Sequence, residues 1–165
     1  MSPIELLPVA REQQHVLANL LELYAHDFSE LMDVPLGNDG RFGYPQLPLY
    51  WEEPNRFPFL VRSGTLAGFA LVKRGSEVSG DENVWDMAEM FVVRGQRRRG
   101  IGTEVAHQVW RRFPGAWEVR VMEANVAALP FWARAIAGFV GRVVAPSRFA
   151  RPGKAWNVFA FESRR

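Results

Sequence analysis

The 165-residue chain contains no cysteine. This excludes disulfide cross-links, thiolate catalysis and cysteine-bound zinc. Histidine is scarce: only His15, His26 and His107 occur, at spacings that match no ligand pattern, so no metal is expected. No run approaches the roughly 18–20 apolar residues that cross a bilayer. Residues 1–10 lack the basic stretch and following apolar stretch of a secretory signal. The expectation is a soluble, cytoplasmic protein without membrane contact. Charge of one sign is also lacking. Twenty Lys and Arg stand against eighteen Asp and Glu, leaving +2. That balance argues against a nucleic-acid partner. What the chain does have is apolar bulk: 48% hydrophobic residues, with twelve Phe and six Trp. This suffices for a packed core, and the length fits one domain, 1–165.

Along the chain, residues 3–9 read as a strand. Residues 11–24 then carry Val16, Leu17, Leu20, Leu21 and Tyr24 at helical spacing, and a second short helix is expected over 27–32. Residues 33–58 are broken by Pro35, Gly37, Gly40, Gly43, Pro45, Pro48, Pro54 and Pro58, so a long irregular segment is expected. Tyr44, Tyr50 and Trp51 within it are candidate substrate contacts, because long loops in small domains often bind ligands. Its aromatics would equally serve to pin it to the core. Residues 59–62 and 66–73 form a hairpin pattern around Ser63-Gly64-Thr65. A strand follows at 84–93, a helix at 101–113 and a strand from Trp117 to about Val121. Asn125 is placed to cap a helix reaching about Ala137, with Gly138 as its stop. Strands are expected at 139–144 and 155–161. The order implies an α/β layered domain with a mixed, largely antiparallel sheet of about seven strands and about four helices.

The strongest local signal is Arg97-Arg98-Arg99-Gly100-Ile101-Gly102, between a strand and a helix. Glycines allow a tight turn, the helix N-terminus offers unpaired N–H groups, and arginines add charge-assisted hydrogen bonds. Together they suit a phosphate or pyrophosphate. A dinucleotide fingerprint would need Gly or Ala at Val105, and a P-loop would need Lys at Ile101.

The remaining pattern, Arg/Gln-x-x-Gly-x-Gly/Ala, resembles the acetyl-CoA motif of the GNAT acetyltransferase superfamily. Its setting does too: it follows Met87-Ala88-Glu89-Met90-Phe91-Val92-Val93, and the chain continues to Asn125 and to Phe131-Trp132. The resemblance implies a GNAT fold with splayed fourth and fifth strands, and acetyl-CoA as cosubstrate. It implies that Phe91, Val92 and Val93 meet the pantetheine arm and that Arg97, Arg98, Arg99, Gly100, Ile101, Gly102 and Thr103 hold the pyrophosphate. It also places Asn125 beside the thioester, with Phe131 and Trp132 lining the pocket. One position departs from the family: Trp132 stands where many members have the tyrosine that protonates the leaving thiolate. Only Tyr24, Tyr44 and Tyr50 could replace it, water being the alternative.

Acetyl transfer to an amine needs a proton acceptor and an oxyanion donor, expected as a backbone N–H near Val92. Asp86 and Glu89 are the candidate bases, Glu89 first. Strict alternation puts them on opposite faces, but the resemblance implies a bulge, common in this strand of GNATs, that would shift the facing of one of them. The acids and aromatics of the 33–58 segment suit a small cationic amine such as a polyamine, amino sugar or amino acid. The rival readings are a protein-amine acetyltransferase and a non-catalytic acyl-CoA sensor. A homodimer is left open.

Overall fold

The computed structural model describes residues 2–164. One seven-stranded sheet organises them. In chain order the elements are β1 (Ile4–Pro8), α1 (Gln14–Phe28), α2 (Leu49–Glu52), β2 (Arg56–Ser63), β3 (Thr65–Arg74), β4 (Trp85–Val92), α3 (Ile101–Arg112), β5 (Gly115–Met122), α4 (Ala128–Val140), β6 (Ser147–Arg151) and β7 (Lys154–Ser163). The sheet runs β1-β2-β3-β4-β5-β7-β6. No helix is long and apolar enough to cross a membrane among the described residues.

The sequence pattern explains the layering. The α1 stripe of Leu17, Leu20 and Leu21 packs on the sheet face that carries Leu60, Phe69, Leu71 and Phe91. Ile101, Val105 and Val109 of α3 cover the opposite face with Val72, Met87 and Val119. Each such side chain contributes about 1.5–3 kcal/mol when fully buried. Short connections give antiparallel neighbours, as at Gly64, whose φ of 74° closes the β2–β3 hairpin. The α3 crossover makes β4 and β5 parallel.

That parallel contact is brief. β4 and β5 pair only at Trp85 with Trp117 and at Asp86 with Glu118. Beyond it β5 stays with β7 as far as Met122, while β4 stays with β3 as far as Val92. The two strands therefore part in mid-sheet, as the resemblance implied.

Several sequence expectations are corrected. The helix at 27–32 does not form. Instead α1 continues to Phe28 and unwinds through turn bonds from Leu31 and Met32 to the Phe28 carbonyl. The second helix is α2, inside the segment expected to be irregular, and β2 begins earlier than expected, at Arg56. Asn125 does not cap α4: the cap position is Ala127, without a side-chain bond. Gly138 lies inside α4, which ends at Gly141, where φ is 78°, the left-handed conformation that suits glycine at a helix end. No strand forms at 139–144, because Phe139 belongs to the helix and packs against His107 and Trp110 at ring separations of 5.3 and 5.2 Å. The sixth strand is the polar edge segment β6, exposed at four of its five residues.

Candidate active site

The turn between β4 and α3 is built as the sequence suggested. After β4 a single 3₁₀ turn covers Arg94–Gln96. Arg98 then adopts φ 63°, and Gly100 adopts φ 76° at the N-cap of α3. No side chain caps that helix. Among the described residues, the backbone N–H groups of residues 98 to 103 have no protein acceptor. A row of free donors at a helix N-terminus favours an anion. A side chain at Gly102 would meet the Phe131 ring at 3.1 Å, beside Met90, so the glycine, α4 and β4 close up together here.

The four arginines of this stretch divide into two pairs. Arg98 and Arg99 are exposed. Arg94 and Arg97 reach back to Asp27 at the end of α1, with N–O distances of 2.7 and 2.8 Å. Arg97 also donates to the Val92 carbonyl at 2.7 Å. The Val93 N–H donates to Ala67 at 2.8 Å, and the Val93 carbonyl accepts from Gln96 at 2.9 Å. Three of the backbone groups expected to face a pantetheine arm thus already have protein partners.

The position of the two carboxylates is decided by one irregularity. Leu71 pairs with Glu89 and Val72 with Met87, so Ala88 is an extra residue in β4. Such a bulge shifts the alternation by one. It puts Asp86 and Glu89 on the same face, the one covered by α1. Asp86 is 1% exposed and receives both Nε and Nη2 of Arg120, at 3.2 and 2.7 Å. Burial pushes its carboxyl up and Arg120 opposes that. Its oxygens are committed to the ion pair.

Among the described residues, no such cation contacts Glu89. Tyr24 donates to Oε2 and Tyr44 to Oε1 at 3.3 Å. Tyr50, on α2, has a buried hydroxyl without a partner, close enough for the Glu89 charge to raise its pKa after burial has done so. All three tyrosines of the chain thus gather at one carboxylate. Burial pushes the Glu89 carboxyl up to about 7, against the downward pull of the Tyr24 and Tyr44 hydrogen bonds and of Arg120. A carboxylate that titrates near neutrality can both hold and release a proton at working pH.

Residues 17–139 match the sequence model of the Acetyltransferase (GNAT) family. This chain belongs to that family. Solved structures share its fold. An acetyltransferase from Thermus thermophilus superposes with a TM-score of 0.71 at 16% identity, covering 98% of this chain and 99% of that one. A spermidine N-acetyltransferase from Vibrio cholerae, in complex with CoA and spermine, gives 0.63 at 13% identity, covering 97% and 95%. Arabidopsis thaliana NAA60 with a bisubstrate analogue gives 0.62 at 15% identity, covering 97% and 98%. At such identities the likeness concerns the fold alone. No curated protein sequence matches the chain.

Within this GNAT acetyltransferase the remaining candidates fall in two groups. Tyr44 and Tyr50 reach the Glu89 neighbourhood, and Trp51 makes a contact of its own. Its indole N–H donates to the Val9 carbonyl at 2.8 Å and ties α2 to the end of β1. Phe131 touches the α3 turn. Trp132 packs edge-on to Phe131 at 5.0 Å and beside Trp110 at 6.3 Å, as part of the wall under α4. The Asn125 side chain has no hydrogen-bond partner among the described residues.

Three residues that the sequence reading did not single out shape this candidate site. Glu22 of α1 accepts from the N–H groups of Phe42 and Gly43 at 2.9 and 3.0 Å, which holds the loop that delivers Tyr44. Arg120 neutralises Asp86. Asp27 gathers Arg94 and Arg97. Their signal is long-range pairing, which spacing along the chain does not carry.

Proposed function

We propose that residues 1–165 form one catalytic domain, which transfers the acetyl group of acetyl-CoA to the primary amine of a small cationic molecule in a ternary complex. A polyamine, an amino sugar and an amino acid are the classes in view. Glu89 is the proton acceptor. The observation that carries this reading is Glu89 itself: a carboxylate that no cation contacts among the described residues, on the strand that parts from β5, hydrogen-bonded by two phenols and pushed by burial toward neutrality.

The residues present fit the cosubstrate. The free N–H groups of residues 98–103 and the exposed Arg98 and Arg99 form a donor set for pyrophosphate. Gly102 leaves the main chain open where Phe131 approaches. The β4 edge past Asp86 has no ladder partner on the β5 side among the described residues, so an extended arm can lie along it. Acetyl-CoA supplies the activated thioester carbonyl. Glu89 takes the proton that the ammonium must lose before it can attack, and Asp86 is engaged by two guanidinium nitrogens of Arg120. Trp132 has no acidic proton to give, so the thiolate takes its proton from a phenol or from water.

The aromatic and acidic lining supports a cationic acceptor, since ring faces and carboxylates both attract ammonium groups. The test is thiol release from acetyl-CoA with polyamines, amino sugars, amino acids and peptide N-termini offered separately. Turnover with a small cationic amine at least tenfold above that with any peptide is the expected result. Turnover with peptides alone would remove the small-molecule assignment, and no thiol release with any amine would remove Glu89 from a catalytic role.

A further inference from the structure

The route by which a proton reaches Glu89 is readable from its surroundings, given Glu89 as the acceptor. Both carboxylate oxygens already accept a phenol, Oε2 from Tyr24 and Oε1 from Tyr44. One phenol comes from α1 and the other from the loop before α2. A phenol oxygen that donates its own proton keeps lone pairs free to accept another. An ammonium that donates to such a phenol oxygen is joined through it to the carboxylate.

We propose that Tyr24 is the relay between the acceptor amine and Glu89. The amine N–H proton passes to Tyr24 Oη while the Tyr24 hydroxyl proton passes to Glu89 Oε2. The ammonium becomes a neutral amine, Tyr24 ends as the neutral phenol it was, and Glu89 ends protonated. Tyr24 is preferred over Tyr44 for two reasons. Its contact with the carboxylate is the closer one, Tyr44 standing at 3.3 Å. Its ring is also fixed on α1 by Phe28, Phe69 and Phe91, at 4.7, 5.5 and 5.8 Å, so its hydroxyl is held in one place. Phe91 is the β4 residue next to Val92, which puts Tyr24 on the side of Glu89 toward the α3 turn. Burial and the neighbouring Glu89 charge keep the Tyr24 phenol protonated, as a two-way carrier must be. The groups that face Glu89 are Tyr24 from α1, Tyr44 from the loop, Tyr50 from α2, Asp86 from its own strand and Arg120 from β5; none but Tyr24 and Tyr44 touches it.

Because the chain has only three tyrosines, tyrosine labelled at Cζ gives three carbon resonances. In the protein without substrate, titration from pH 5 to 9 should move the Tyr24 Cζ signal with a midpoint near the Glu89 value, about 7. Glu89→Gln should abolish that titration. Tyr24→Phe should raise the midpoint read at Tyr44, because a hydrogen bond to the charged carboxylate is lost. In turnover, with the best small amine from the screen as probe, the solvent-isotope proton inventory should be curved for the wild type and linear for Tyr24→Phe. The Tyr24→Phe rate should fall roughly 10- to 100-fold. A Tyr24 signal that ignores Glu89, or a linear wild-type inventory, overturns the relay even if Tyr24→Phe fails to fold. A low Glu89→Gln rate beside a wild-type Tyr24→Phe rate overturns the relay and leaves Glu89 as the base. A wild-type Glu89→Gln rate overturns the base assignment itself.

Discussion

Glu89→Gln should change how stability depends on pH, independently of any substrate. The Glu89 carboxyl stands at about 7 in the folded protein against an ordinary 4.5. Between those two values the folded state holds a proton that the unfolded chain has released. Stability therefore falls as pH rises through that window and levels off above it. At about 1.4 kcal/mol per pKa unit, the full effect is about 3.4 kcal/mol. Since pH 5 already lies above the unfolded value, about 2.5 kcal/mol of it remains between pH 5 and pH 8. Glutamine cannot ionise, so the variant should lack this loss. Its absolute stability carries a separate change, because an amide cannot accept both phenols through two carboxylate-like oxygens. The difference between pH 5 and pH 8 is free of that constant. Urea unfolding of both proteins at pH 5, 6.5 and 8 reads it. Wild type should lose about 2.5 kcal/mol relative to the variant over this range. Parallel pH profiles would show that Glu89 is not held near neutrality, and the argument for it as a base would lose its physical ground.

Turnover of Glu89→Gln should drop roughly 10- to 1000-fold with acetyl-CoA affinity nearly intact, measured by steady-state kinetics and calorimetry. Gly102→Ala should weaken acetyl-CoA binding by about tenfold or more, because its methyl would meet the Phe131 ring at 3.1 Å and the main chain would lose its open approach; unchanged calorimetric affinity would contradict the turn assignment. Trp51→Phe should cost about 1 kcal/mol through the lost bond to Val9 and leave the acceptor Michaelis constant alone, whereas Tyr44→Phe should raise that constant. Asp27→Ala should destabilise by about 1 kcal/mol at pH 7. Burial raises the Asp27 carboxyl, but Arg97 and Arg94 together outweigh it and hold the group below its ordinary 3.8. This contribution is therefore present above that value and disappears as pH falls through the folded one. Unfolding at pH 7 and pH 2.5 checks it.

Much of the fold is visible in the sequence, for local reasons. The Arg97–Gly102 turn, the α3 stripe and the β2–β3 hairpin each rest on residues within a few positions of one another. Where reading failed, distance along the chain was the cause. Gly138 looks like a helix stop, yet the apolar face of α4 continues past it to Phe139, which packs on Trp110, and packing outweighs the weak helix propensity of one glycine. β6 has almost no apolar alternation, because it is an exposed edge held by pairing with β7. At the site, Asp86 and Glu89 were legible as residue types, but their common face depends on the bulge at Ala88, which no local pattern announces. Tyr24 reads as one member of a helical apolar stripe. Only its 65-residue separation from Glu89, closed by the fold, turns it into a polar partner.

The parting of β4 and β5 has a consequence for how long the protein survives in a cell. A strand edge without a partner is normally a liability for aggregation, and here one lies in the middle of the sheet, where the two halves share just two residue pairs. A ligand that lies along that edge joins the halves much as an added strand would. Anything bound to the folded state alone stabilises it by mass action, by about 2.7 kcal/mol at a hundredfold excess over its dissociation constant. The abundance of this acetyltransferase would then follow the supply of its own thioester: scarce cosubstrate would leave more of the chain open to proteolysis, and plenty would preserve it.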